Sequence, residues 1–75
     1  MMQRPQKRSL TLNGHRTSVS LEDAFWKAFI AIAAEQGKPI NALAVEIDHL
    51  RGTDCGLASA IRLYILAHAQ GSPLG

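Results

Sequence analysis

The sequence predicts a mainly α domain that opens on a short β-ribbon. Three observations carry that expectation. Apolar and polar residues alternate up to Leu21, two helical stripes lie on either side of Gly37 and Pro39, and a third, largely apolar helix follows a polar break at residues 51–56.

Residues 1–7 hold Arg4, Pro5 and Lys7 with no apolar period, and read as a flexible basic arm. The domain proper then spans 8–70. Ser9 to Leu12 alternate, Asn13-Gly14 intervenes, and His15 to Leu21 alternate again. Asn-Gly between alternating runs is the strongest short-range hairpin signal, because both residues accept the positive φ of a type I′ turn. Two pairings of the second strand stay open, with the first strand in a hairpin or with its own twin across a dimer axis. They coexist if the first strand lies outside the ribbon. Either way Thr17, Val19 and Leu21 share one face, and Arg16, Ser18 and Ser20 share the other.

Glu22 or Asp23 opens the first helix, and Asp23 is its candidate cap. Phe25, Phe29, Ile32 and Ala33 form its stripe, widened by Trp26 and Ile30. Gly37 ends it in a left-handed turn and Pro39 prevents its continuation. Asn41 looks like the cap of a second helix bearing Leu43, Ala44, Ile47 and Leu50, with Ile40 before the cap as a staple to Val45. The third helix, from about 57 to 68, is apolar nearly all round, Ile61 included, and is either central to a core or covered by a partner. Arg62 within it calls for an acid such as Glu46 or Asp48. Residues 71–75 read as a frayed tail.

A chain of seventy-five residues hides only about 60% of the surface its unfolded form exposes, so a solitary core is marginal. Its 47% hydrophobic content points to association through helix faces. Cys55 is the sole cysteine, which excludes an intrachain disulfide and favours a cytosolic compartment. No run is long enough for a membrane span, and the N-terminus lacks the apolar stretch of a signal peptide, so a cytoplasmic protein is expected.

Net charge is only +2, but its distribution is uneven. Residues 1–16 carry Arg4, Lys7, Arg8 and Arg16 with no acid, while the remainder is weakly acidic. That asymmetry suits a polyanion at one end, although short basic tails also serve solubility. His15, His49, His68, Asp48, Asp54 and Cys55 raise a metal site, but none form a tight ligand pair, and no metal or cofactor is expected. No nucleophile triad, phosphate loop or paired carboxylates appear, so no enzyme is expected.

Strand, helix, Gly-containing turn and polar-capped helix is the order that a β-ribbon reader of the major groove requires. The chain resembles the ribbon-helix-helix superfamily of MetJ, Arc and CopG type. The block Arg16-Thr17-Ser18-Val19-Ser20-Leu21-Glu22 is similar to its strand, the stretch from Phe25 to Gly37 to its first helix and turn, and residues 41–50 to its second helix. A branch of short bacterial proteins is closer still, marked by Gly14-His15-Arg16-Thr17-Ser18-Val19-Ser20-Leu21-Glu22, Phe25-Trp26 and the block Ser59-Ala60-Ile61-Arg62.

The resemblance implies an intertwined homodimer with an added C-terminal helix, in which Val19, Leu21, Phe25, Phe29, Leu43, Ile47 and Ile61 form the dimer core. It implies a transcriptional regulator of double-stranded DNA, a repressor, whose Arg16, Ser18 and Ser20 read bases. Arg4, Lys7, Arg8, Lys38 and Asn41 would hold phosphates, and dimers could assemble further on DNA. Against this stands a protein-interaction adaptor or antitoxin on the same fold, since serine hydroxyls discriminate bases weakly.

Overall fold

The chain reverses at Asn13-Gly14, whose φ angles of 52° and 82° are the pair of left-handed residues a type I′ turn needs. In the computed structural model, which describes residues 4–51 and 55–71, this turn joins β1 (Gln6–Leu12) to β2 (His15–Leu21) as an antiparallel hairpin. Helices α1 (Asp23–Glu35), α2 (Ile40–Leu50) and α3 (Leu57–Ala69) follow. The second strand therefore pairs with the first. Gln6 and Lys7 belong to β1 rather than to a basic arm, because a two-residue turn sets them opposite Leu21 and Ser20. Residues 1–3 of the expected arm and 72–75 of the expected tail lie outside the described residues.

Register sorts the hairpin into two faces. Leu10, Val19 and Leu21 are buried on the inner face, with Leu12 packed beside them. They meet Phe29, Ile32 and Ala33 of α1, Leu43, Ala44 and Ile47 of α2, and Ala60, Ile61 and Ile65 of α3 in one core. The residues expected to form a dimer core are thus covered within one chain, Phe25 partly and the others fully. The reason is α3, which packs against α1, α2 and β2 and supplies the apolar layer expected from a partner.

Local signals explain the helix ends. Glu22 is the N-cap of α1, its carbonyl receiving the Trp26 N–H at 2.9 Å, while Asp23 takes the first helical position with no side-chain cap. At the other end the Gly37 N–H bonds Ala34 O and the Lys38 N–H bonds Ala33 O, both at 3.0 Å, the paired closure of a Schellman motif with Gly37 at φ 69°. Pro39, not Asn41, is the N-cap of α2, its carbonyl accepting from the Ala42 and Leu43 N–H groups at 3.0 and 3.2 Å. Proline loses nothing there, having no N–H to leave unpaired. Ile40 is consequently the first helical residue, and the staple expected before an Asn41 cap does not exist.

Candidate nucleic-acid interface

The outer face of the hairpin is built by three cross-strand pairs, Lys7 with Ser20, Ser9 with Ser18, and Thr11 with Arg16. All six are exposed. The face carries two cations at opposite ends, four hydroxyls between them, and neither an acid nor a large apolar side chain. Strands spaced about 4.8 Å apart leave such a pair narrow enough to enter a groove about 12 Å wide. Arg16 supplies a planar fork suited to guanine, and hydroxyls both donate and accept.

A two-residue turn makes Leu12 and His15 a hydrogen-bonded pair, and alternation then leaves the backbone groups of Lys7, Ser9 and Thr11 on one outer edge and those of Arg16, Ser18 and Ser20 on the other. Side chains close part of each edge. The Thr11 N–H donates to Asn41 Oδ1 at 3.0 Å, so the residue expected to cap α2 instead ties the start of that helix to β1. On the opposite edge Arg62 Nη2 donates to the Ser20 carbonyl at 3.1 Å.

Arg62 is held for that task by Glu22, whose Oε1 accepts from Nε at 3.0 Å and from Nη2 at 2.8 Å, and its guanidinium lies 5.7 Å from the Phe25 ring centroid. The expected partners are taken elsewhere, Glu46 by Lys38 and Asp48 by Arg51. The bond from Arg62, reinforced by the residue's own backbone N–H, keeps the Glu22 carboxyl below the usual carboxylate range.

The expected phosphate ligands separate into two groups. Arg4 is exposed just ahead of β1, Lys7 stands on the outer face, and Lys38 and Asn41 lie at the start of α2 beside the Thr11 end of β1. That helix start brings free N–H groups and a positive dipole end to the ribbon's flank. Lys38 is ion-paired with Glu46, so a phosphate must compete for it. Arg8 is placed differently from the expectation. The even register turns it inward, where its side chain is only 15% exposed, bonded to Asp23 at 3.4 Å and 5.5 Å from the Trp26 ring centroid. A cation held there is not free for DNA. Asp23 itself is kept below the usual range first by its bond from Lys27, with Arg8 adding to the effect.

Ser9 and Thr11 escaped the sequence reading, although the signal was present. Once Asn13-Gly14 is accepted as a two-residue turn, the register places them opposite Ser18 and Arg16 without further assumption. Among the described residues no three of His, Cys, Asp or Glu stand together as metal ligands would, and no helix is long and apolar enough to cross a membrane. Asp54 lies outside the described residues.

No curated protein and no solved structure matches the chain significantly. A family model described as a ribbon-helix-helix domain matches residues 5–69, from the start of the hairpin to the end of α3. With strand, helix, turn and helix in the required order and the match spanning nearly all of it, the chain belongs to the ribbon-helix-helix family of DNA-binding regulators.

Proposed function

We propose that the chain is a sequence-specific transcriptional regulator, a repressor, that sets the outer face of its hairpin into the major groove. The observation that carries this reading is the composition of that face: six exposed polar side chains, two of them cationic and none acidic. Arg16, Ser18 and Ser20 meet base edges, while Arg4, Lys7 and the α2 start with Lys38 and Asn41 meet phosphates that fix the register. A protein seated on promoter DNA excludes others from it, which makes repression the expected sign. A gel-shift titration of the purified chain against fragments of its genome at low salt tests the reading, and no retarded fragment would refute it.

Assembly as a homodimer is part of this proposal. Leu50, Leu63 and Leu66 are each about half exposed, and the first two line an open apolar groove of about 200 Å³ with Ile47, Arg51, Cys55, Ala60 and Tyr64. Apolar surface of this kind marks a contact face, and a self-complementary one closes a dimer. The same surface supports the second reading, an adaptor or antitoxin that grips another protein. Solution mass separates the two: a dimer in the purified chain favours self-association, and a monomer that copurifies with one stoichiometric protein favours the adaptor.

A further inference from the structure

We infer that β1 is the phosphate-gripping flank of a four-stranded sheet: with two copies paired along β2, Ser9 and Thr11 join Lys7 on the DNA backbone while the twin β2 strands read bases between them. The inference rests on the proposed DNA-binding homodimer and assigns two further contact residues within it.

The edges of the hairpin set the arrangement. The outward N–H and carbonyl groups of Arg16, Ser18 and Ser20 have no backbone partner among the described residues, and such a row is a template for another strand. Arg62 meets the Ser20 carbonyl at 3.1 Å, but that oxygen keeps a second lone pair. Antiparallel pairing about Ser18, the middle of the row, uses all of it, with Arg16 of one copy facing Ser20 of the other. At the far edge the Thr11 N–H is taken by Asn41, so the sheet ends at β1.

Every row across the exposed face of that sheet then begins and ends on β1. The middle row runs Ser9, Ser18, Ser18, Ser9, and the rows beside it run Thr11, Arg16, Ser20, Lys7. No cation stands directly next to another, so the pairing meets no like-charge penalty.

Width assigns the roles. At about 4.8 Å per strand, the β2 strands lie about 2.4 Å to either side of the sheet's axis and the β1 strands about 7 Å. A major groove about 12 Å wide has its walls about 6 Å from its own axis. The β2 strands therefore fall between the walls and the β1 strands fall over them, where phosphates stand. A serine or threonine hydroxyl there is too short to reach base edges and well suited to donate to a phosphate oxygen. Asn41 extends the same wall. Its Oδ1 accepts the Thr11 N–H, which leaves its Nδ2 hydrogens without a partner among the described residues, beside Lys38 at the start of α2.

The test begins with the full chain and a binding site selected from a random double-stranded pool. Affinities of the parent, Ser9→Ala, Thr11→Val and Ser18→Ala are measured for that site, for each of its single-base variants, and for the site with one neutral methylphosphonate at each backbone position in turn. Ser9→Ala and Thr11→Val should each lose roughly tenfold, the product of about threefold from each of two copies, on every sequence alike. At particular backbone positions, methylphosphonates that weaken the parent should cost these two variants less. Ser18→Ala should instead flatten preference at particular base pairs. All three positions are exposed, and unchanged circular dichroism verifies the fold.

If Ser9→Ala or Thr11→Val alters preference at particular base pairs, β1 lies in the groove and the inference falls alone. It falls likewise if both variants match the parent on every duplex, methylphosphonates included. A pool yielding binding but no preferred site removes the seated ribbon and overturns it too, leaving DNA binding intact. A parent that binds no duplex at low salt overturns both this inference and the proposed function. Amide exchange in the free dimer gives a readout independent of DNA. Slow exchange at Arg16 and Ser18 beside fast exchange at Lys7 and Ser9 is expected, whereas fast exchange at Arg16 and Ser18 would show an unpaired β2 edge and overturn the inference.

Discussion

The two faces of one hairpin are made from the same strands and obey opposite rules. On the inner face Leu10, Val19 and Leu21 are nearly or fully buried, and the inward Arg8 is bound by Asp23 and Trp26. On the outer face Lys7, Ser9, Thr11, Arg16, Ser18 and Ser20 are exposed, and none of the six side chains makes a hydrogen bond or ion pair with another described residue. Core packing therefore resides on one side of a single pleated layer, and the other side, to which we assign recognition, is left to solvent. A cation one residue along changes surroundings completely, as the exposed Lys7 and the inward Arg8 show.

Neighbouring residues of β2 give the sharpest way to break that comparison. Leu21→Ala removes a fully buried side chain and should cost about 2 to 5 kcal/mol in urea unfolding, enough to leave so small a domain largely unfolded. Ser20→Ala, one position earlier on the outer face, should stay within about 0.5 kcal/mol. Equal losses would show that the faces are not divided as described.

Next in size is Arg16→Ala. It should weaken binding to a preferred site by about 1 to 3 kcal/mol and relax preference at one base pair, with the unfolding midpoint unchanged. Lys7→Ala should act more weakly and uniformly, reducing affinity for every duplex alike and lowering the slope of log affinity against log salt by about 0.9. A base-specific effect of Lys7→Ala would move it from the phosphate set to the reading set.

The smallest effect is electrostatic and sits at the seam between the faces. Glu22 and Asp23 are both held below the usual carboxylate range, by Arg62 and by Lys27 respectively. A carboxyl with a lowered folded value binds fewer protons when folded than when unfolded, so its contribution is present above the unfolded value, about 4, and is lost as pH falls through the folded one. Thermal unfolding between pH 6 and pH 2 should show a modest decline confined to the acid end, and Arg62→Gln should shrink it.

Much of this was legible beforehand because it depends on short-range rules. The Asn13-Gly14 turn, the sorting of Val19 and Leu21 from Ser18 and Ser20, and the Gly37 closure of α1 each follow from residues a few positions apart. What was misread shared a different cause. Asn41 has the composition of a cap, but Pro39 fills that position and the Asn41 amide reaches a strand edge thirty residues away. Arg62 was matched to acids on the neighbouring helix, and only the crossing of α3 over β2 and α1 brings it to Glu22, forty residues earlier.

The sequence by itself thus determined the elements, the turn that joins the strands, and the division of each strand into an apolar and a polar face, since backbone conformation and side-chain periodicity are local properties. Only the tertiary structure decided that β2 pairs with β1 within the chain, that α3 completes the core there, and that Asn41 and Arg62 each bond one outer edge of the hairpin. Those outcomes depend on which distant groups arrive beside an unpaired N–H or carbonyl, and packing, not periodicity, settles that.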